Sequence, residues 1–202
     1  MTAARPDPER RRRAVAQAQP NIALIKYWGK RDAALNLPVV GSLSITLDGL
    51  WTRTAVQFDP ALRADAFLLD GRRDDAQAHR VGQCLDLLRA RAGIEHRAVD
   101  DSSNNYPTAA GLASSASGFA ALIVAGNAAL GLNLSLAEQS ILARRCSGSA
   151  ARSIFGGYVE WACGTRADGS DSLAQPLLDA GAWPLRVVVA ITSKKAKAIG
   201  ST

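Results

Sequence analysis

The stretch NNYPTAAGLASSASGFAA, residues 104–121, constrains the fold of this chain more than any other. Pro107 predicts a chain corner, and Gly111 allows the backbone to approach a ligand closely. Apolar residues at helical spacing follow, and Gly131 lies where a helix C-cap is expected. Because the N–H groups at a helix start are unpaired and the helix dipole is positive there, this lead-in predicts an anion site. The serines at the predicted helix start are Ser114, Ser115 and Ser117.

Two kinds of structure fit this stretch. One is a phosphate site, in which serine hydroxyls donate to phosphate oxygens or contact a magnesium ion that keeps several of its waters. The other is an ordinary Ser-capped helix whose small residues allow another element to pack closely. The chain contains no GxxxxGK[ST] and no GxGxxG after a strand, which excludes the P-loop and the dinucleotide-binding fingerprint.

Composition restricts the class of protein. With 202 residues, 48% of them hydrophobic and 21% charged, the chain can bury the core of one domain or slightly more. It contains no apolar run near the ~20 residues of a membrane span and no secretory signal, so we expect a cytoplasmic protein without membrane association. Cys84, Cys146 and Cys163 show no CxxC and predict reduced thiols. His79 and His96 lie among charged residues, which argues against histidine-based catalysis.

The net charge of +6 is partly a property of the N-terminus, where residues 1–18 hold five arginines. Their Pro-, Ala- and Gln-rich surroundings predict a disordered basic tail. A nucleic-acid-binding arm and a mitochondrial presequence are the alternatives. Asp7 and Glu9 argue against the presequence, and no aromatic residue is interleaved to stack on bases.

Strand pairs and separate helices, without a regular βαβ alternation or an internal repeat, indicate an α+β fold. Hairpin turns are predicted at Asp48-Gly49 and Asp70-Gly71. Helices are predicted over 75–92 and 114–130, and from a capping box at Ser135 and Glu138 to about Arg145. Strands are predicted over 14–25 with a break at Pro20, and over 42–47, 51–58, 66–69, 98–104, 158–163 and 185–192.

Two further polar segments suggest ligands. In NIALIKYWGKRDAALNLP, Lys26 and Lys30 lie among Tyr27 and other apolar residues, where ammonium groups would lose water unless an anion joined them. A solvated charged face is the alternative. In CSGSAARSIFGGYVEW, a Ser/Gly corner precedes Arg152, and the alternative there is a capped turn with Arg152 paired to an acid.

The wording of these segments resembles one family. PTAAGLASSASG is similar to the phosphate-binding motif of the GHMP kinases, in the version carried by diphosphomevalonate decarboxylases. NIALIKYWGKRD with LNLP resembles the opening signature of that family, and SGSAARS resembles its SGSACRS segment, with Ala151 where a cysteine is frequent. SKKAKAIGST resembles the family's Lys- and Ser-rich loop. The resemblance implies a GHMP-kinase N-terminal domain over 19–202, with a ribosomal-protein-domain-2-like sheet and packed helices.

The resemblance also implies a reaction. Family members phosphorylate the tertiary 3-hydroxyl of mevalonate 5-diphosphate with ATP and Mg²⁺, then lose carbon dioxide and phosphate to give isopentenyl diphosphate in the mevalonate pathway of isoprenoid biosynthesis. The family's catalytic aspartate lies in a C-terminal half and is expected beyond Thr202, since no aspartate here lies in the family's acidic motif. We therefore expect this chain to be an N-terminal portion without the C-terminal domain, and to be inactive alone.

Site residues follow from the matched motifs. Those implied to bind the substrate are Tyr27, Lys30, Ser147, Gly148, Ser149, Arg152 and Ser201. Those implied to bind ATP are Asn105, Pro107, Gly111, Leu112, Ala113, Ser114, Ser115 and Ala116. Arg152 would hold the substrate carboxylate, Lys26 would support the same pocket, and Ser115 would contact the metal or the γ-phosphate. Asn36 and Asn105 are expected to order a loop or to lie near phosphate.

Two alternatives to this function remain at this point. One is a sister enzyme of the same fold that phosphorylates mevalonate or decarboxylates its monophosphate. The other is a basic RNA-binding module, whose binding would be strongly salt-dependent and independent of ATP. The resemblance to diphosphomevalonate decarboxylases implies a small-molecule substrate, no nucleic acid, no membrane partner, and a homodimer when full length.

Overall fold

The computed structural model describes residues 12–107 and 112–190. In this part the strands are β1 (Arg12–Ala18), β2 (Asn21–Ile25), β3 (Lys30–Asp32), β4 (Leu37–Pro38), β5 (Ser42–Thr46), β6 (Thr52–Asp59), β7 (Ala66–Leu69), β8 (Arg72–Arg73), β9 (Arg97–Asn104), β10 (Tyr158–Trp161) and β11 (Ala174–Leu178). The helices are α1 (Asp75–Ala92), α2 (Ser114–Leu130) and α3 (Leu136–Cys146), with a 3-10 helix over Gly148–Ile154. This combination confirms the predicted α+β class. Among the described residues, no helix is long and apolar enough to cross a membrane.

The main sheet has the strand order β1-β6-β9-β7-β8. β6 lies antiparallel to both β1 and β9, whereas β7 runs parallel to β9. Buried and more exposed residues alternate along β6 from Thr52 to Phe58, as expected for a sheet with one covered face. α1 and α2 share the core with this sheet. The fully or almost fully buried side chains of this core include Val56, Phe58, Leu85, Leu88, Leu122 and Ile123.

A second sheet, with the order β11-β10-β5-β2, carries a smaller core. Trp161 is fully buried there against Ala151 and Val159. Its indole N–H donates to the Ser172 hydroxyl at 3.1 Å, which satisfies the polar end of a buried aromatic side chain. β3 and β4 form a separate hairpin. The polar segments singled out in the sequence lie on and beside this second sheet.

The predicted helix ends are confirmed because their signals are local. α1 follows the N-cap Asp74 and ends at Gly93, whose φ of 64° is left-handed. α3 begins with the predicted capping box between Ser135 and Glu138. α2 ends before Gly131, which adopts a φ of 63°. A C-cap glycine with a positive φ and an N-cap side chain that hydrogen-bonds within its own first turn both form without a distant partner.

Of the two predicted hairpins, one is confirmed and one is wrong. β7 and β8 pair across Asp70-Gly71, with Leu69 opposite Arg72. Asp48-Gly49 instead joins β5 to β6, which lie in different sheets. A turn dipeptide determines a change of direction, but the strand that pairs with β5 is decided by packing with β2 and β10.

The predicted disordered tail over 1–18 is wrong for residues 12–18, and residues 1–11 lie outside the described part. Arg12–Ala18 forms β1 and pairs with β6 along its whole length. Within this arginine-rich segment, alanines alternate with more exposed residues, and the alanines face α2. The domain therefore begins earlier than the predicted boundary at residue 19.

The predicted strand over 185–192 is also wrong, since residues 184–190 adopt no regular secondary structure and 191–192 lie outside the described part. β10 pairs with β5 on one side and with β11 on the other. The sequence did not indicate β11 because it contains Pro176. β11 is an edge strand, where proline is tolerated.

The prediction of reduced thiols is wrong for two of the three cysteines. Cys84 of α1 and Cys146 at the end of α3 form a disulfide, with their Cα atoms 5.6 Å apart. Cys163 is a free thiol. The two bonded cysteines are 62 residues apart in sequence, and only the packing of α1 beside α3 brings them together.

Candidate functional site

The start of α2 has the features of an open anion site. Ser114 is the first helical residue, and among the described residues no side chain caps this end and no acidic residue lies in its first turn. Ala113 is the N-cap and has a φ of 54°, a conformation that costs a residue with a β-carbon about 1 kcal/mol or more. Ser115 is exposed and Ser114 is half-buried. Gly111 lies outside the described residues.

Ser117, by contrast, has a structural role. It is completely buried, and its hydroxyl lies 2.6 Å from that of Thr52 and 2.7 Å from that of Tyr106. These bonds attach the first turn of α2 to β6 and to the segment before the loop. Of the three serines in the sequence motif, Ser114 and Ser115 are therefore the two available to a ligand.

Asn105 orders the chain that enters the loop. Its side-chain carbonyl accepts from the Trp51 N–H at 2.7 Å, and its amide donates to the Gly49 carbonyl at 2.7 Å. Both bonds are to backbone, which favours the loop-ordering role over direct phosphate contact. Pro107 follows on the surface and is the last described residue before the gap.

Arg152 occupies a buried polar pocket beside β2 and β5. Its side chain is 2% exposed, and it donates to the Ser44 hydroxyl at 3.0 Å, to the Ser42 hydroxyl, and to the Asn21 side-chain carbonyl at 3.2 Å. No carboxylate in the described part of the chain pairs with it, so the alternative of a structural ion pair is not supported. Burial lowers the pKa of the guanidinium to about 10. A buried cation surrounded by neutral oxygens is a suitable partner for an anionic ligand.

Tyr27 and the Ser/Gly corner are brought next to this cation. The Tyr27 ring packs edge-on against Trp161 at 5.0 Å between centroids, and the Arg152 guanidinium lies 5.8 Å from the Trp161 ring. A β-carbon on Gly148 would lie 3.1 Å from the Tyr27 hydroxyl, so glycine permits this approach. Asn21 links the cluster, because its amide donates to the Ser149 carbonyl at 3.0 Å.

The prediction that Lys26 and Lys30 are desolvated is wrong for this structure. Both residues are exposed, and so is Trp28, at 77% of its surface. β2 ends at Ile25, and the segment after it lies on the surface. The ammonium groups are therefore hydrated, and their contribution to a ligand would be electrostatic attraction rather than a prebuilt pocket.

Arg80 is a cation that the sequence did not single out. Its guanidinium donates twice to the Cys146 carbonyl, at 3.2 and 3.0 Å, and lies 4.7 Å from the centre of the Phe119 ring. Burial lowers its pKa. Arg80 shares a groove with Lys30 and Arg145. No local signal marks it, because it becomes part of the site only when α1 packs beside the end of α3.

A reciprocal contact holds the hairpin of β3 and β4 against α3. The fully buried Arg144 donates to the Leu35 carbonyl at 3.1 Å and to the Gly169 carbonyl at 2.7 Å. In return, the Asn36 amide donates to the carbonyls of Arg144 and Arg145 at 3.1 and 2.9 Å. The expectation that Asn36 orders a loop is thus supported by its contacts, whereas Arg144 was missed because it reads as an ordinary helix-end arginine.

Comparisons with known proteins identify what this chain is similar to. The chain is 45% identical to the diphosphomevalonate decarboxylase of Eremothecium gossypii over 94% of this chain and 51% of that protein. It is 42% identical to that of Homo sapiens over 90% of this chain and 49% of that protein. The chain therefore spans about half the length of the curated relatives it matches.

Solved structures share the fold. Mevalonate diphosphate decarboxylase from Staphylococcus aureus matches with a TM-score of 0.79 and 46% identity, over 84% of this chain and 51% of that chain. A structure described as MDDEF in complex with MVAPP, AMPPCP and magnesium matches with a TM-score of 0.78 and 48% identity, over the same shares of both chains. The family model described as diphosphomevalonate decarboxylase-like N-terminal domain matches residues 18–174. This match covers most of the residues of the chain. The chain therefore belongs to the diphosphomevalonate decarboxylase-like N-terminal domain family.

Proposed function

We propose that this chain forms the nucleotide- and substrate-binding half of an enzyme that uses ATP to decarboxylate mevalonate 5-diphosphate to isopentenyl diphosphate. The observation that carries the proposal is the buried guanidinium of Arg152, which neutral oxygens surround and no carboxylate of the described chain pairs. Family membership supports the same reaction, since the matched structure MDDEF is described with MVAPP, AMPPCP and magnesium. The enzyme is proposed to be cytoplasmic and a homodimer when full length.

Arg152 would hold the carboxylate of the substrate. Its planar fork suits a carboxylate, and much of its desolvation cost is already met in the folded chain. The other end of the substrate is a diphosphate, for which the site offers hydroxyls, N–H groups and cations. The residues proposed to hold it are Tyr27, Lys30, Ser147, Gly148 and Ser149, together with Ser201 outside the described residues, Lys26 nearby, and Arg80.

The open start of α2 would bind the β- and γ-phosphates of ATP. The backbone N–H groups at the start of α2 and the hydroxyls of Ser114 and Ser115 are donors without a competing side-chain cap in the described residues. The exposed hydroxyl of Ser115 fits a magnesium ion, because Mg²⁺ takes few protein ligands and keeps several waters. Bound Mg²⁺ would neutralise charge on the phosphates.

Each bonding change has a clear reason. Transfer of the γ-phosphoryl group to the 3-hydroxyl replaces hydroxide, a poor leaving group, with phosphate. When the carboxylate leaves as carbon dioxide, its electron pair forms the alkene as phosphate departs with the C–O bonding electrons. Arg152 and the Ser/Gly corner contribute by holding the two ends of the substrate in one orientation. The acidic residue that orients the 3-hydroxyl is proposed to lie in the half of the relatives that this chain does not span.

The test uses the product of the intact gene with ATP, Mg²⁺ and mevalonate 5-diphosphate. Carbon dioxide and ADP should be released in equal amounts. ADP without carbon dioxide would identify a kinase and contradict the proposal. Mevalonate and mevalonate 5-phosphate, assayed in parallel, identify the substrate, and faster decarboxylation of the monophosphate would contradict the diphosphate assignment.

A further inference from the structure

The disulfide between Cys84 and Cys146 lies beside the groove proposed to bind the substrate diphosphate, and the function proposed so far gives it no role. Cys84 lies in α1, and Cys146 is the last residue of α3, directly before the Ser/Gly corner at residues 147–149. The two residues are only 1% and 5% exposed, but both contribute to the wall of the groove that also contains Lys30 and Arg80. The disulfide therefore links α1 to the segment that begins the diphosphate site.

Two contacts from one face of α1 fix the position of Cys146. Arg80 and Cys84 are four residues apart, about one helical turn, so both project from the same side of the helix. Cys84 bonds the Cys146 sulfur, and the Arg80 guanidinium donates to the Cys146 carbonyl at 3.2 and 3.0 Å. Ser147 is extended, with a φ of −156°, so the helix ends at the residue that these two contacts hold. The position of Cys146 thus determines where the corner at residues 147–149 begins.

Reduction of the disulfide would release Cys146 rather than Cys84. Cys84 lies in the middle of α1, where helical hydrogen bonds hold the backbone on both sides, whereas Cys146 lies at the end of α3. Two thiols need more room than a disulfide, and the two cysteines belong to a close-packed core. The sulfur atoms therefore separate by a movement of Cys146, and the corner at residues 147–149 moves with it.

The groove beside the two cysteines suits a small anionic disulfide. Its charged wall residues in the described part of the chain are the cations Lys30, Arg80 and Arg145 and one acid, Asp86. Reduced glutathione carries two carboxylates and one ammonium group at neutral pH, so its net charge is opposite to that of the groove. Glutathione is the main thiol buffer of the cytosol, where disulfides are commonly redox-sensing rather than structural. For an enzyme proposed to be cytoplasmic, this cysteine pair is therefore suited to exchange with glutathione.

We propose that Cys84 and Cys146 form a redox-modification site that exchanges with glutathione, and that their disulfide raises the affinity of the neighbouring site for the substrate diphosphate. This inference rests on the proposed function. The disulfide holds the corner at residues 147–149 in its assembled arrangement, so the substrate does not have to order it on binding. The reduced enzyme should bind the substrate about fivefold or more weakly, as is usual for coupling between two sites.

Oxidation of the pair takes two exchanges with oxidised glutathione. The thiolate of one cysteine attacks the glutathione disulfide, which forms a mixed disulfide and releases one glutathione thiolate. The thiolate of the second cysteine then attacks the protein sulfur of the mixed disulfide and releases the other glutathione. The two cysteines lose two protons and two electrons in total, and the two glutathione molecules gain them.

The first measurement uses the product of the intact gene in buffers with a graded ratio of reduced to oxidised glutathione. Alkylation of free thiols, followed by mass spectrometry of the peptides that contain Cys84 and Cys146, gives the oxidised fraction. Because coupling between two sites is reciprocal, saturating mevalonate 5-diphosphate should let the disulfide form in a more reducing buffer. The shift in [GSH]²/[GSSG] at half-oxidation should be about fivefold or more, equal to the factor by which reduction weakens substrate binding.

The second measurement compares the steady-state kinetics of the oxidised enzyme with those of the enzyme reduced by dithiothreitol. Reduction should raise KM for mevalonate 5-diphosphate about fivefold or more and leave KM for ATP unchanged, because the serines at the start of α2 do not line this groove. Cys84→Ala and Cys146→Ala should each have the KM of the reduced enzyme under both conditions. Cys163→Ala is the matched control and should keep the full redox response, since Cys163 is a free thiol that does not line the groove.

Four results would overturn the inference: an equal KM in the two redox states, tighter binding by the reduced enzyme, a half-oxidation ratio that substrate does not move, or a redox response that persists in both alanine variants. Each of these is compatible with decarboxylation and leaves the proposed function intact. Absence of carbon dioxide release in both redox states would contradict the proposed function, and with it this inference. If an alanine variant does not fold, as judged by circular dichroism, the unsubstituted enzyme in its two redox states still decides the question.

Discussion

Arg152 combines two properties that make its replacement informative. Its guanidinium already bonds to Ser44, Ser42 and Asn21, and it is proposed to hold the substrate carboxylate as well. Lysine keeps the charge but has a single nitrogen, which cannot bridge three fixed oxygens and a ligand at once. A guanidinium at this position therefore acts through its shape as much as through its charge.

We expect Arg152→Lys to lower kcat/KM of the intact gene product by roughly 2–5 kcal/mol in transition-state stabilisation, about 30-fold or more. Steady-state kinetics with mevalonate 5-diphosphate measure the effect, and the melting temperature shows whether the variant is folded. Arg97→Lys is the control, because the Arg97 side chain is 42% exposed and its ion pair with Asp65 is long, at 3.9 Å. Turnover by Arg152→Lys within a few-fold of the unsubstituted enzyme would mean that the arginine is only structural.

At the scale of the element, α2 carries two internal glycines in opposite environments. A β-carbon on Gly126 would lie 2.3 Å from Leu88 Cδ1, and Leu88 is fully buried in the core with α1. A β-carbon on Gly118 would meet nothing within 4 Å. The same substitution therefore tests helix propensity at one position and close helix packing at the other.

Gly118→Ala should stabilise the chain by up to about 1 kcal/mol, because alanine is the better helix former. Gly126→Ala should destabilise it by about 1–3 kcal/mol, because the extra methyl group forces Leu88 out of its packed position. Urea unfolding measures both free energies. If the two variants shifted stability in the same direction by the same amount, close packing of α1 against α2 at Gly126 would be refuted.

The difference between local interactions and distant packing also explains which elements were predictable from sequence. Gly93, Gly131 and the Ser135–Glu138 box mark helix ends by interactions within a few residues, and those predictions are confirmed. The pairing of β5 with β10 joins residues more than a hundred positions apart, and no turn signal encodes it. The strand predicted over 14–25 with a break at Pro20 is confirmed as β1 and β2, although β1 begins earlier, at Arg12, where the arginines concealed it. β11 was missed because it contains a proline.

The candidate site shows the same division. The motifs that carry Tyr27, Ser149 and Arg152 are short segments, and the structure brings them around Trp161. Arg80 and Arg144 were not foreseen, since their roles depend on which helix packs beside which loop. Family resemblance supplied the order of the motifs, whereas the absence of a carboxylate beside Arg152 in the described chain could be established only from coordinates.

At the scale of the whole molecule, one surface is unusually apolar. The described chain after β10 exposes a series of large apolar side chains: Leu177 at 49%, Leu178 at 50%, Trp183 at 56%, Leu185 at 43%, Val187 at 42%, Val188 at 91% and Val189 at 47%. Single exposed apolar residues are ordinary, but this many within residues 177–189, called the patch below, favour association. It lies on and after β11, an edge strand whose free side is open to pairing in the described part of the chain.

We expect the 202-residue chain to self-associate through this patch and to show no decarboxylation in isolation. Val188→Glu should shift the mass measured by light scattering toward that of the monomer, because it places a charge at the most exposed position of the patch. Leu136→Glu is the matched control, since Leu136 is a 54% exposed apolar residue at the start of α3, outside the patch, and the charge change is the same. A monomeric unsubstituted chain, or equal effects of the two substitutions, would contradict association through residues 177–189.

Carbon dioxide release tests the expectation that the short chain is inactive. Release at a rate comparable to that of the longer gene product would show that the acidic group needed for the reaction lies within the 202 residues, and our placement of it elsewhere would be wrong.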